Sequence, residues 1–183
     1  MFEKKLENPV RLAELAPLET LKRIGLGNEQ VVCDIGAGSG VFTIPAANIT
    51  TNKVFALDIN EEMLSIIAEK ASKERLENIT CIKVKDNRFS IENDSIDLAL
   101  LVTVLHEIPN KEDFLAEVKR ILNINGKVAL IEFHKNETPM GPPLSHRISQ
   151  EETNGIFQSL GFMQYDAFDL GANFYCQVYK PVS

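Results

Sequence analysis

The 183 residues carry 44% hydrophobic and 25% charged side chains, which excludes a disordered chain and suits one domain burying roughly 70% of its unfolded surface. A formal net charge of −7, with no Lys/Arg cluster free of acidic neighbours, argues against the basic footprint a nucleic-acid binder needs. The longest apolar run, 98–105, falls far short of the about 20 residues that span a bilayer, so neither nucleic acid nor membrane is an expected partner.

In chain order, MFEKKLENP has no apolar stretch after its charges, so neither a secretory signal nor an anchor is expected. A helical stretch over 11–24 follows, interrupted or restarted at Pro17. Short β-rich runs at 31–35, 53–57, 79–84, 96–102 and 127–133 then alternate with amphipathic segments, the signature of βαβ units. Most of these runs are nearly continuous in apolar residues, which predicts strands covered on both faces.

Asn60 is placed to cap a helix with Glu61 and Glu62 in its first turn and Lys70, Lys73 and Arg75 towards its end. Asn110 caps a second, with Phe114, Val118, Ile121 and Leu122 on one face until Asn125–Gly126 stops it. Ser149 and Glu152 form a capping box for a third, ending at Gly161. Two further β runs, 163–168 and 174–180, lie close enough to pair antiparallel. Cys33, Cys81 and Cys176, each in an apolar strand-like run, read as buried thiols of a reducing compartment, and a cytoplasmic protein is expected.

The run VVCDIGAGSGVFT places Asp34 at the end of the first strand, then Gly36, Gly38 and Gly40, then a helix. Such a loop lets a ligand approach the backbone at the electropositive end of a helix. Its spacing is G-x-G-x-G, with Val41 where a dinucleotide fingerprint has its third glycine, and no Gly-Lys-Ser/Thr of a P-loop follows. Asp58 ends the second strand, where a carboxylate can accept both hydroxyls of a ribose held over the loop. Pro45 falls early in the following helix, where its missing N–H costs little.

With these residues in view, nearly the whole chain resembles the class I S-adenosylmethionine-dependent methyltransferases. The resemblance implies a doubly wound α/β fold, seven strands in the order 3-2-1-4-5-7-6, mostly parallel with the last antiparallel, and helices on both faces. It implies that VVCDIGAGSG holds the methionine part of S-adenosylmethionine, that Asp58 binds its ribose, and that Asp86 with Asn87, in KDNRFSIENDSIDLALL, meets the adenine. The implied cofactor-binding set is Asp34, Gly36, Ala37, Gly38, Gly40, Asp58, Ile59, Asp86, Asn87 and Thr103, with no metal. LNINGKVAL is similar to the family's turn before the fifth strand. One domain over 1–183 is expected, with a helical segment at 1–28 over the cofactor side and a lid loop at 134–148.

The chain departs from several branches. It lacks the leucine-proline phrase common before the fourth strand of small-molecule members. ThrValLeuHis stands after that strand instead of the Asn/Asp-Pro-Pro-Tyr/Phe motif of nucleobase-amine enzymes, and neither the glutamate pair of protein-arginine enzymes nor the metal-binding carboxylates of catechol-type enzymes has a counterpart. A small-molecule acceptor is the remaining expectation. Because a sulfonium methyl is already activated, alignment at about 3 Å and exclusion of water are the main demands. Where the acceptor must lose a proton, His106, followed by Glu107, is the candidate base. His134, His146 and Arg147 of the polar segment HKNETPMGPPLSHR are candidates to line a lid over the acceptor. Two other readings stay open: a non-catalytic binder or sensor of the same nucleoside, and a nicotinamide-dependent oxidoreductase, against which Val41 argues.

Overall fold

The computed structural model describes residues 6–85, 88–138 and 140–182. Two short helices open it, α1 (Pro9–Leu15) and α2 (Pro17–Ile24). Asn8 caps α1, its side chain accepting from the Val10 N–H at 2.9 Å, and Ala16, at φ 37°, breaks the two apart before Pro17 restarts the helix. The remaining elements are β1 (Val32–Ile35), α3 (Thr43–Ile49), β2 (Val54–Asp58), α4 (Glu61–Glu74), β3 (Ile79–Lys83), β4 (Ile96–Val102), α5 (Lys111–Ile121), β5 (Leu122–Phe133), α6 (Gln150–Ser159), β6 (Phe162–Leu170) and β7 (Phe174–Pro181). The expected caps are present: Asn60 accepts from the Glu62 N–H, Asn110 from the Asp113 N–H, and Ser149 and Glu152 bond reciprocally.

The seven strands form one sheet in the order β3-β2-β1-β4-β5-β7-β6. β1 to β5 run parallel, and β7 is antiparallel to both neighbours. The continuous apolar runs follow from the two cores that sandwich this sheet. On β4, Leu98 and Leu100 face a core with Leu21 of α2 and Ala46 of α3, while Ala99 and Leu101 face the other with Phe114 and Val118 of α5. Each fully buried Leu contributes about 1.5–3 kcal/mol, so both faces hold the strand in place. On β2, Ala56 meets Leu64, Ile67 and Ala71 of α4 in a smaller cluster.

Two expectations are corrected. α5 ends at Ile121, and Leu122 is already extended (φ −70°, ψ 134°), pairing with Ile96; the next partner pair is Leu98 with Lys127, so residues 123–126 form an excursion within β5. The Asn123 side chain competes for the backbone here, accepting from the Asn125 N–H at 3.0 Å and donating to Asp97 Oδ1 at 2.6 Å. Only glycine fits at 126, where a Cβ would lie 2.7 Å from the Ile96 carbonyl oxygen. The second correction concerns Cys81, which is half-buried rather than buried because β3 is an edge strand; Cys33 and Cys176 are buried, and all three thiols are free. No helix among the described residues is long and apolar enough to cross a membrane.

Candidate functional site

At the carboxyl ends of β1, β2 and β4 the glycine loop turns into α3. The Gly36 and Ala37 N–H groups donate to the Leu57 carbonyl at 2.7 and 2.9 Å, hanging the loop on β2. Gly36 has φ 73°, and a Cβ there would sit 2.4 Å from Val104 Cγ2, so a side chain is excluded by both backbone and packing. Asp58 Oδ2 accepts from the Gly38 N–H and Oδ1 from the Asn60 N–H, both at 2.8 Å. An ionised carboxylate has about four acceptor sites, so Asp58 braces the loop and keeps lone pairs for a ligand.

Asp34 is 2% exposed, and its Oδ2 accepts from the Thr43 hydroxyl at 2.6 Å. Burial raises its carboxyl to about 6, the Thr43 hydrogen bond opposing and the Asp58 charge adding to the rise. Together these groups wall a cavity of about 460 Å³. Of the expected cofactor residues, Asp34, Gly36, Ala37, Gly38, Asp58, Ile59 and Thr103 line it. Gly40 is turned away, its Cβ position lying 2.9 Å from Ile67 Cγ1 of α4, where it closes the turn through its N–H to the Ala37 carbonyl. Asp86 and Asn87 lie outside the described residues. Nearby Val84, Lys85 and Phe89 border the cavity.

The sequence reading missed Arg11. The α1 side chain reaches over the cavity, 7% exposed, and donates to the Leu6 carbonyl at 2.8 Å and to Thr103 Oγ1 at 3.1 Å. No carboxylate pairs with it among the described residues. Burial lowers its guanidinium to about 10, still a full cation at neutral pH. Thr103 holds φ 55°, an uncommon region for a β-branched residue that concentrates at functional sites. The cavity thus offers a buried cation without a counter-ion among the described residues, the braced carboxylate of Asp58, and an apolar wall of Ile59, Met63 and Phe89.

Beyond Thr103 a short 3₁₀ turn (Leu105–Glu107) carries His106. Its ring is 7% exposed, with Nδ1 2.8 Å from Glu132 Oε2, while its backbone N–H donates to Glu132 Oε1 at 3.2 Å. His106 borders a second, open groove of about 1010 Å³, and Glu107 borders both concavities. Glu132, 1% exposed, is the other residue missed; the signal was a lone acid in the apolar strand VALIEF.

Residues 134–138 and 140–146 wrap around Arg147. Its guanidinium donates to the carbonyls of His134, Asn136, Met140 and Pro142 and to Thr138 Oγ1, at 2.8–3.0 Å. With those donors engaged, Arg147 scaffolds the loop at the border of the groove. His134 pairs with Asp169 of β6 at 3.2 Å and borders neither concavity, whereas His146 is exposed on the groove wall.

A family model described as a methyltransferase domain matches residues 26–169. The crystal structure of an S-adenosylmethionine-dependent methyltransferase from Aquifex aeolicus superposes with a TM-score of 0.90 at 28% identity, covering 96% of this chain and 95% of that one. A ubiquinone/menaquinone biosynthesis C-methyltransferase UbiE from Rhizobium rhizogenes is 29% identical over 112 residues, 60% of this chain and 43% of that protein. A demethylmenaquinone methyltransferase from Tropheryma whipplei is 30% identical over 112 residues, 61% of this chain and 45% of that protein. The match thus spans less than half the length of these two relatives. Glycine loop, sheet order and family match agree, and the chain belongs to the class I S-adenosylmethionine-dependent methyltransferases.

Proposed function

We propose that this chain transfers the methyl group of S-adenosylmethionine to a small-molecule acceptor in the cytoplasm, leaving S-adenosylhomocysteine. The observation that carries the reading is Arg11, a buried guanidinium without a carboxylate partner among the described residues at the cavity wall. A buried charge without a partner is costly, and the cofactor's amino-acid carboxylate is the group that would neutralise it. The other parts of the cavity fit the rest of the cofactor. Asp58 would take the ribose hydroxyls, Gly36, Ala37 and Gly38 would admit the methionine arm, and Ile59 and Phe89, with Asp86 and Asn87, would hold the adenine. Asp34 and Thr103 complete the wall, and Gly40 shapes the loop.

When bound, the cofactor supplies a methyl already activated by its sulfonium. The chain's own work is to align an acceptor and exclude water, and where the acceptor carries a proton His106 is the base. A small molecule is favoured because the groove beside His106 has few free cations: Lys111 donates to the Ile108 carbonyl, Lys135 pairs with Glu152, and Arg147 is engaged in its loop. The names of the two quinone-pathway relatives point the same way. The test is acceptor-dependent release of S-adenosylhomocysteine across a broad panel of small O, N, C and S acceptors. Release that rises with one acceptor supports the reading; tight cofactor binding with no turnover on any acceptor makes the chain a sensor or docking module.

A further inference from the structure

We infer that His106 and Glu132 form a base-and-positioner dyad, and that the acceptor is one whose reacting O–H or C–H must lose its proton, such as a phenol, hydroquinone or enol. The inference rests on the methyltransferase reading and adds the acceptor's chemical class to it.

Glu132 is the starting point. It lies near the end of β5, 1% exposed, and among the described residues the hydrogen bonds both its oxygens accept come from one residue, the N–H of His106 on Oε1 and the imidazole Nδ1 on Oε2. Burying a carboxylate costs several kcal/mol unless its partners restore it, and a neutral amide would pin the turn equally well. A carboxylate does two things an amide cannot. Being an acceptor only, it requires Nδ1 to carry the proton, which leaves the Nε2 lone pair free. It also stabilises the imidazolium once Nε2 has accepted a proton.

The surroundings of Nε2 fit that role. Glu107 Oε1, from the same turn, stands 3.9 Å away and 74% exposed. Lys111 of α5 is the cation whose charge opposes protonation of the ring. Across the groove stand the Lys135–Glu152 pair, Glu151 and His146, together with the loop-engaged Arg147. Burial alone would lower the imidazole, but the hydrogen bond and charge of Glu132, with Glu107, outweigh it against Lys111 and lift His106 above the ordinary 6.5. That direction brings the base towards the pH at which it works, where general-base catalysis is most effective. Neighbouring Val104 and Glu107 border the cofactor cavity, while the His106 ring borders the groove. An acceptor in the groove would therefore meet base and methyl from adjoining walls.

The step balances without a co-reactant. The acceptor's proton passes to Nε2 of His106, its freed electron pair forms the new bond to the methyl carbon, and the sulfur keeps the pair of the bond that breaks. The imidazolium then releases its proton to water through the open groove. Acceptors with a free lone pair and no proton to lose, such as a pyridine or a thioether, have no use for the dyad.

Two measurements test this. Nitrogen-15 NMR of the wild-type protein should show His106 as the Nδ1–H tautomer, titrating above 6.5, and in Glu132→Gln its titration should move to lower pH while S-adenosylhomocysteine affinity holds. The tautomer is read on the wild type alone, so it stands even where the variant folds poorly. In the second, methylation of catechol, hydroquinone and acetylacetone is compared with that of nicotinamide and dimethyl sulfide. Turnover is expected on the first group, falling on the order of 100-fold or more in His106→Gln, with an acid limb that moves to lower pH in Glu132→Gln. An Nε2–H tautomer, a titration unmoved by Glu132→Gln, or methylation confined to nicotinamide or dimethyl sulfide overturns the dyad while leaving the methyltransferase reading intact. Methylation of neither group on this panel overturns the assigned acceptor class, and absence of turnover on the broad acceptor panel overturns the methyltransferase reading with it.

Discussion

Replacing Arg11 with Met keeps most of the buried stem and removes the charge. In the free protein the change removes a buried cation that has no carboxylate partner among the described residues, along with two hydrogen bonds, to the Leu6 carbonyl and Thr103 Oγ1. These effects oppose one another, so thermal stability should move little. With ligand bound the balance differs, because a charge-assisted hydrogen bond to a carboxylate contributes about 1.5–3 kcal/mol, or roughly 10- to 150-fold in Kd. Calorimetric titration of wild type and Arg11→Met should therefore show S-adenosylmethionine and S-adenosylhomocysteine weakened by that factor. The affinity of 5′-methylthioadenosine, which has the same nucleoside and no carboxylate, should stay within about twofold, since no contact assigned to Arg11 is lost. Equal weakening of all three ligands would show that Arg11 only shapes the cavity, and no weakening of any would refute the assignment outright.

Three further predictions follow from the same geometry. Asp34 titrates near 6 when folded, above the ordinary 3.8, so its stabilising contribution is present below the lower value and is lost as pH rises through the higher one. Denaturant unfolding from pH 4.5 to 7.5 should then lose about 2 kcal/mol in the wild type relative to Asp34→Asn; parallel curves would contradict that. Gly36→Ala should lower stability by about 2 kcal/mol or more, from the left-handed backbone and the clash with Val104, and Val104→Ala should restore part of the loss. Arg147→Met removes the donor shared by four part-buried loop carbonyls, at about 0.5–1.5 kcal/mol per hydrogen bond, so hydrogen exchange should accelerate across 134–138 and 140–147 while S-adenosylhomocysteine affinity is unchanged.

Much of the sheet could be read from the chain because its strands are covered on both faces. The alternation of Leu98 and Leu100 with Ala99 and Leu101 between two cores leaves no polar position to blur the pattern. The edge strands were the exceptions, β3 with its Cys81 half-buried and β6 with most of its side chains exposed. Cap and glycine signals act over a few residues, and for that reason Asn60, Asn110 and Ser149 were legible. The α5–β5 junction was not, because Leu122 suits a helix face and a strand equally, and the pairing of Ile96 with Leu122 decides between them. The site divided along the same line. The loop from Gly36 to Gly40 and Asp58 carry their signals locally. Arg11 gains meaning from Thr103, 92 residues away, and His106 from Glu132, 26 residues away, separations that no periodicity reports. Arg147 shows a further limit, since the five hydrogen bonds by which its guanidinium holds its own loop leave no signal in the spacing of the segment.

The proposed cofactor site is the cavity walled by Arg11, Gly36 and Asp58, and calorimetric titration of the wild-type protein with S-adenosylmethionine, S-adenosylhomocysteine and NADH tests it most directly. Saturable binding of both adenosyl ligands with no heat from NADH is the predicted result. Binding of NADH alone, or of none of the three, would contradict it.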